Sequence, residues 1–203
     1  MKKGLLFAGA FNPPTIAHVQ CALTALRQTK RDYVMFVPSE ETYIRFDQKK
    51  DFVYSDRKRY AMLTELCNVY DEFYVSDYEL QNDHQPRTYE TLCALKQQGF
   101  ECSLLFGTDK LAELSSAWKH VEEIASEFGI VCMKRNHVNA DEIIAEDPLL
   151  TKIKDHIEIV CTDERMQDVS SSLFRKLMKE GKTEEALQML PSSIRNMKEI
   201  ILL

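Results

Sequence analysis

No stretch of this 203-residue sequence approaches the ~20 consecutive apolar residues that a membrane-spanning helix requires, so a membrane protein is not expected. An export signal is not expected either, because Met1, Lys2 and Lys3 lead into an apolar run of only about seven residues that stops at Asn12, Pro13 and Pro14. Both absences point to the cytoplasm. The six cysteines, at positions 21, 67, 93, 102, 132 and 161, include no C-x-x-C pair and no zinc-ligand spacing with histidine. Cys102, Cys132 and Cys161 fall in apolar strand-like runs and Cys21, Cys67 and Cys93 in helical patterns beside Leu or Ala, so buried, reduced thiols are expected. Positive charge is in deficit, with 26 Lys and Arg against 32 Asp and Glu and a net charge of −6. That balance argues against a nucleic-acid binder but leaves small anionic substrates open, since those need only a local cluster of donors. Repeats and low-complexity segments are absent. So are the two commonest phosphate-binding loops, because neither G-x-x-x-x-G-K-[ST] nor G-x-G-x-x-G occurs. Tryptophan occurs once, at position 118.

What the chain does contain is a regular alternation. Apolar runs of strand length recur at 4–8, 33–37, 72–75, 103–106, 129–133 and 157–160. Segments of helical spacing lie between them, as in Ile16, Val19, Leu23 and Leu26 or Val121, Ile124 and Phe128. Several of the strands are apolar on both faces, as in a parallel sheet covered by helices on both sides. The pattern predicts an α/β fold, a Rossmann-like doubly wound parallel sheet in a single domain, with ligands beyond the carboxyl ends of the strands. Gly99, Gly129 and Gly181 mark helix ends. Residues 183–203 read as a small C-terminal part of two short helices split by Pro191, with Ile194, Met197, Ile200 and Ile201 as the stripe that packs on the body. The segment 40–55 lacks periodicity and reads as a long loop that could close over a substrate, or as an ordinary surface loop. Lys49, Lys50, Arg57, Lys58 and Arg59 concentrate positive charge, and on composition alone they read as a solvated face.

Residues 9–15 join the first strand to a helix-patterned stretch, which delivers a tight polar loop to a helix N-terminus. Backbone N–H groups and the positive end of the helix dipole converge at such a junction and favour an anion. Thr15 stands at the N-cap position, and Gly9, Pro13 and Pro14 constrain the loop before it. His18 falls in the first turn, where a histidine is more often a capping or core residue. Ser170, Ser171 and Ser172 open a later helix with Arg175 one turn in. They read either as an N-cap with two spare hydroxyls or as a phosphate cradle completed by a planar fork of donors. Asp109, after Gly107, reads as the N-cap of a helix starting at Lys110, and Trp118 as a core residue near a helix start.

These residues carry a resemblance. Gly9, Phe11, Asn12, Pro13, Thr15 and His18 are similar to the G-x-F-[DN]-P-x-[HT]-x-x-H signature of the nucleotidyltransferase superfamily. Val169-Ser170-Ser171-Ser172-Leu173-Phe174-Arg175 resembles that superfamily's C-terminal [IV]-S-S-[ST]-x-x-R element. Arg87-Thr88-Tyr89-Glu90-Thr91-Leu92, Gly107-Thr108-Asp109 followed by Trp118, and Arg59-Tyr60-Ala61-Met62 resemble the T-Y-x-T-L, G-x-D...W and R-x-x-M elements of nicotinate (nicotinamide) mononucleotide adenylyltransferases. The resemblance implies transfer of AMP from ATP to nicotinate or nicotinamide mononucleotide, with pyrophosphate released and one Mg²⁺ carried by the substrate and not by protein ligands. It implies that His18 and Arg175 act in catalysis, and that Gly9, Ala10, Phe11, Asn12, Thr15, His18, Gly107, Asp109, Ser170, Ser171, Ser172 and Arg175 bind ATP. It places Thr88, Tyr89, Leu114, Trp118 and Lys49 at the mononucleotide, with Trp118 stacked on the pyridine ring. A protonated or donor imidazole at His18 would stabilise charge on the departing pyrophosphate, and an already ionised phosphate attacks, so no general base is required.

Two residues depart from the commonest form of the signature, Thr15 where many members have His and Ala17 where many have Gly. Phosphopantetheine adenylyltransferases share the first and last motifs but lack the G-x-D...W pairing. A non-catalytic nucleotide sensor on the same fold is the other alternative. Oligomeric state is not legible in the sequence, and a homo-oligomer stays among the open alternatives.

Overall fold

The computed structural model describes residues 2–50, 52–134, 138–161 and 168–201. Six strands alternate with helices: β1 Lys3–Gly9, β2 Tyr33–Pro38, β3 Phe73–Val75, β4 Glu101–Gly107, β5 Ile130–Lys134 and β6 Ile157–Cys161. The helices are α1 Ile16–Thr29, α2 Asp56–Cys67, α3 Thr88–Gln97, α4 Thr108–Leu111, α5 Leu114–Ala117, α6 Val121–Phe128, α7 Ala140–Glu146, α8 Pro148–Ile153, α9 Ser171–Lys179, α10 Thr183–Leu187, α11 Ser192–Arg195 and α12 Lys198–Ile201. The strands form one sheet of order β3-β2-β1-β4-β5-β6, and β1, β4, β5 and β6 pair in parallel. This is the doubly wound order, with its reversal between β1 and β4. Among the described residues no helix is long and apolar enough to cross a membrane.

Backbone contacts divide the chain into two compact units, and the division falls within β1 and β2. One unit comprises Met1–Phe7, Cys21–Met35 and Pro86–Glu164. Its centre is the β1-β4-β5-β6 ladder, in register Leu6 with Leu104 and Leu104 with Ile130. Leu5, Leu6, Leu104, Leu105, Val131 and Cys132 are buried there. Gly4 is required by packing, because a Cβ at this position would stand 2.1 Å from the Tyr33 ring. The Tyr33 hydroxyl in turn donates to the Glu101 carbonyl at 3.1 Å.

The other unit comprises Ala8–Gln20, Phe36–Gln85 and Arg165–Leu203. Phe36 is its aromatic centre, meeting Phe11 edge-on at 5.5 Å and Phe73 at 5.1 Å. The C-terminal helices belong here. Ile16 N–H donates to the Met189 carbonyl at 2.9 Å, the Tyr54 hydroxyl donates to the Ile201 carbonyl at 2.8 Å, and Leu190, Ile194 and Ile201 are buried.

Several expectations need correction. The C-terminal part is three short helices and not two, because the chain breaks again at Asn196 and Met197, and Met197 and Ile200 are only half-buried. The segment 40–55 contains a π-helical turn, Tyr43–Asp47, whose Ile44 is buried. It is therefore anchored rather than a plain loop; Asp51 lies outside the described residues. Trp118 does lie near a helix start, closing α5 in an extended conformation three residues before α6. All six thiols are free, but only Cys21, Cys102 and Cys132 are buried, and Cys161 is exposed at the end of β6. Burial pushes the Cys102 thiol up to about 11 and that of Cys132 to about 12, which leaves both unreactive.

Candidate active site

The loop after β1 is shaped by donors, three of them side chains, that seize its carbonyl groups. Gly9 O accepts from the Ser39 N–H at 2.9 Å, Ala10 O from Arg59 Nη1 at 2.9 Å, Asn12 O from Arg175 Nη1 at 2.8 Å and Pro13 O from the Ser171 hydroxyl at 2.8 Å. Pro13 and Pro14 carry no N–H to donate, so the tightest part of the turn offers only carbonyls and is fixed through them. The Asn12–Pro13 peptide is cis. Phe11 takes φ +42°, a left-handed conformation that an aromatic residue rarely adopts. Gly9 has ordinary space around it, since an added Cβ would lie 3.6 Å from the Phe11 ring, so the unusual backbone belongs to Phe11 and not to the glycine.

Asn12 is fully buried and ties the loop to the segment behind it. Its Nδ2 donates to the Phe52 carbonyl at 2.7 Å and its Oδ1 accepts from the Tyr54 N–H at 2.9 Å, which also fixes the orientation of the amide. Arg59, expected on a solvated basic face, is 0% exposed. Its Nε donates to the Tyr54 carbonyl at 3.0 Å, Nη1 to Ala10 O, and Nη2 pairs with the Asp56 carboxylate. Burial raises the Asp56 carboxyl and lowers the Arg59 guanidinium from their ordinary values, and the charge of each partly restores the other.

Each serine of the run makes a bond within the fold. Ser170 caps α9, its hydroxyl accepting from the Leu173 N–H at 3.1 Å; Ser171 binds Pro13 O; Ser172 accepts from Arg175 Nη2 at 3.2 Å. None of the three is the spare hydroxyl that the sequence suggested. Two motifs at opposite ends of the chain thus meet within this unit through Ser171 and Arg175.

The His18 side chain reaches back to its own helix start, where Nδ1 accepts the Thr15 N–H at 3.0 Å and lies 2.9 Å from the Thr15 hydroxyl. A backbone N–H can only donate, so Nδ1 carries a lone pair and the ring proton sits on Nε2. This removes the imidazolium form from the expectation and keeps the neutral donor. This is one half of a capping box, with histidine in the role usually taken by Glu or Gln, while the His18 N–H donates to the Thr15 carbonyl at 3.0 Å. Phe11 braces the ring edge-on, with centroids 5.2 Å apart. Thr15 and Ala17, the two departures from the signature, are both buried, and Thr15 holds the His18 ring. Lys49, expected at the mononucleotide, instead lines a cleft with Ser172 and Arg175.

The remaining candidates lie in the first unit. Gly107 is the N-cap of α4, which starts at Thr108, so Asp109 is an exposed second residue of that helix and not its cap. Thr88 opens α3, and the Arg87 N–H before it donates to the Glu90 carboxylate at 3.0 Å. The Tyr89 hydroxyl donates to Glu127 at 3.0 Å, and that carboxylate holds the phenol proton, pushing it up to about 12. The same ring stacks on His120 at 5.0 Å. The Tyr89 hydroxyl is therefore engaged with Glu127 in this structure. Leu114 is 1% exposed and acts as core, its carbonyl accepting the Trp118 N–H at 3.3 Å. Trp118 is half-buried, leans on Phe106 with centroids 6.1 Å apart, and lines a cleft of about 580 Å³. A face toward open space is what a stacking platform needs.

Asn12 as a two-way clasp and Arg59 as a buried fork went unseen in the sequence. The only signal for Arg59 was its place in the R-x-x-M element. Arg175 was singled out, but for phosphate and not for the loop it holds.

Comparison with known proteins brings these elements under one heading. The cytidylyltransferase-like family model matches residues 6–177. A probable nicotinate-nucleotide adenylyltransferase of Clostridium novyi (strain NT) is 31% identical over 182 residues, 88% of either chain. One of Clostridium tetani (strain Massachusetts / E88) is 27% identical over 198 residues, 97% of this chain and 96% of that one. The fold matches a Plasmodium falciparum nicotinic acid mononucleotide adenylyltransferase complexed with APC at a TM-score of 0.75 and 17% identity, over 100% of this chain and 97% of that one.

Proposed function

The chain belongs to the cytidylyltransferase-like family and, within it, to the nicotinate-nucleotide adenylyltransferases of NAD biosynthesis, and on that premise we propose that its β1 loop and serine run hold the triphosphate of ATP while AMP passes to nicotinate mononucleotide. The observation that carries this division of labour is the pair of bonds from Ser171 to Pro13 O and from Arg175 to Asn12 O, which brings both signature elements together.

In the reaction a phosphate oxygen of the mononucleotide attacks the α phosphorus of ATP. The bond from that phosphorus to the bridging oxygen breaks, and pyrophosphate leaves with the electron pair. No proton needs to be removed from the attacking group. The protein's contribution is orientation, worth roughly 7–11 kcal/mol in favourable cases, and donors aimed at the developing charge. His18 supplies one donor at Nε2, held in place by Thr15 and Phe11. Arg175 supplies fixed positive charge, with Nη1 and Nη2 anchored so that the guanidinium does not reorganise during the step. Among the described residues no three His, Cys, Asp or Glu side chains group around one point. A Mg²⁺ carried in with ATP would neutralise charge on the leaving group.

Trp118 supplies the face on which the electron-poor pyridine ring stacks. Trp118→Ala is expected to raise the KM for the mononucleotide about tenfold with a smaller change in kcat, measured by steady-state kinetics at saturating ATP. Equal losses in both would place the tryptophan in the chemistry instead. We place the enzyme in the cytoplasm, where six free cysteines stay reduced, with ATP and a pyridine mononucleotide as its partners and neither nucleic acid nor membrane.

Pyrophosphate release from ATP, assayed with nicotinate mononucleotide, nicotinamide mononucleotide and phosphopantetheine in turn, tests the assignment. Release with nicotinate mononucleotide is the expected result. Release with phosphopantetheine alone would select the related adenylyl transfer, and tight ATP binding without release from any acceptor would select a sensor.

A further inference from the structure

Two backbone groups of a single residue hold both sides of the loop after β1. The Tyr54 N–H donates to Asn12 Oδ1 at 2.9 Å, and the Tyr54 carbonyl accepts from Arg59 Nε at 3.0 Å while the same guanidinium reaches Ala10 O. Yet residues 52–55 lie in neither helix nor strand, so no ladder of backbone bonds fixes the segment that does the holding.

Ser55 secures one end, where its hydroxyl accepts from the Lys58 N–H at 3.4 Å as the N-cap of α2. Val53 is buried, which adds apolar packing but no direction. Phe52 is 39% exposed, and its carbonyl is taken by the Asn12 amide it helps to hold. Direction comes from the Tyr54 side chain. Tyr54 is 3% exposed, Phe52 packs edge-on against its ring at 4.8 Å, and its hydroxyl donates to the Ile201 carbonyl at 2.8 Å, across 147 positions of sequence. Ile201 is itself buried and ends the four-residue helix α12. The last carbonyls of a helix have no partner within it, so this one is a ready acceptor. Burial pushes the Tyr54 phenol up to about 12, so the hydroxyl stays protonated and donates at neutral pH.

We propose that Tyr54 is a positioning residue for the transfer of AMP, anchored by the carbonyl end of α12. The terminal helix holds the tyrosine, the tyrosine holds Asn12 and Arg59, and Asn12 presents the backbone carbonyl to which Arg175 Nη1 is bonded at 2.8 Å. It rests on the functional reading in one respect, because Arg175 has its role in the reaction only there. Tyr54 acts through these neighbours alone. Without its hydroxyl bond the donors of the site are all present but less exactly placed, and misplacement of donors lowers the rate more than it weakens ground-state binding.

Tyr54→Phe in the whole chain tests this, since it removes one oxygen and leaves both backbone bonds available. At a temperature where unfolding curves show every variant folded, kcat for pyrophosphate release is expected to fall about fivefold or more, while the KM values of ATP and the mononucleotide change less than about twofold. Ile201→Ala loosens the same bond from its other end. Added to Tyr54→Phe it should lower kcat no further, because the two substitutions act through one contact, and multiplied losses overturn the proposal. Hydrogen exchange followed by NMR reads the tie without turnover. In Tyr54→Phe the N–H at position 54 and the Asn12 side-chain amide are expected to exchange about tenfold or more faster, while the N–H groups of Leu63 and Leu66 within α2 keep their wild-type rates. A uniform rise at all four positions would make the hydroxyl a matter of global stability and overturn the proposal. Local loosening in a chain that transfers no AMP would uphold the tie between α12 and the loop and remove the enzymatic reading. Wild-type kcat in Tyr54→Phe would keep that reading and overturn the positioning role.

Discussion

Replacing His18 with alanine is expected to lower turnover by about a hundredfold or more, with a much smaller change in the KM of the mononucleotide. The size follows from the kind of interaction lost. A preorganised donor aimed at charge that grows only in the transition state contributes little to ground-state binding, so its removal appears in kcat. Preorganisation here is visible: Nδ1 is committed to the Thr15 N–H and Phe11 braces the ring, so Nε2–H is presented without a search among rotamers or tautomers. Thr15→Val separates the two supports. The backbone bond to Nδ1 persists while the hydroxyl 2.9 Å from it is lost. A loss well short of that in His18→Ala is expected. Steady-state kinetics of pyrophosphate release decides the matter, and wild-type turnover in His18→Ala would remove the imidazole from the mechanism.

Arg59→Ala is expected to destabilise the fold by about 3–5 kcal/mol, the range for breaking a buried ion pair by removing one partner. The guanidinium is wholly enclosed and serves three acceptors, and truncation would orphan the carbonyls of Tyr54 and Ala10 and leave the Asp56 carboxylate without its cation. Arg59→Lys should recover only a minor part, because an ammonium cannot reproduce a planar fork that meets acceptors in three directions. Asp56→Asn should be milder than either, since that side chain is 31% exposed and reaches water. Denaturant unfolding measures all three. A loss below about 1 kcal/mol in Arg59→Ala would show that the loop carbonyl at Ala10 is held by something else. Turnover should fall in parallel even under conditions where Arg59→Ala remains folded, because Ala10 belongs to the loop that carries Asn12 and leads into His18.

Much of this was legible before any coordinates. All six residues of β2 are buried, and a strand buried on both faces writes itself as an unbroken apolar run. The Thr15 to His18 spacing and the Ser170 cap are local, and local geometry is encoded within a few residues. What stayed hidden depends on partners remote in the chain. Arg59 sits among Lys49, Lys50, Arg57 and Lys58, and nothing in that run says that one member goes inside, because two of its three acceptors are backbone carbonyls, which sequence does not display. Asn12 was read as a motif letter, although both ends of its amide are consumed by Phe52 and Tyr54. The turn at Tyr43–Asp47 has no apolar period, so its anchorage through Ile44 gave no pattern. The short helix α5, which Trp118 closes three residues before α6, ends without glycine or proline and so left no stop signal in the sequence.

The loop that begins at Gly9 leaves the ribosome well before the side chains that complete it. Arg59 and the backbone of Phe52 and Tyr54 arrive early, but Ser171 and Arg175 lie 158 and 163 residues beyond the carbonyls they bind. At roughly 5–20 residues per second, a nascent chain waits on the order of ten to thirty seconds between making the turn and closing it. During that interval Asn12 and Pro13 have no guanidinium or hydroxyl to receive, and a truncated product of translation that stops short of residue 171 carries an unfinished phosphate loop.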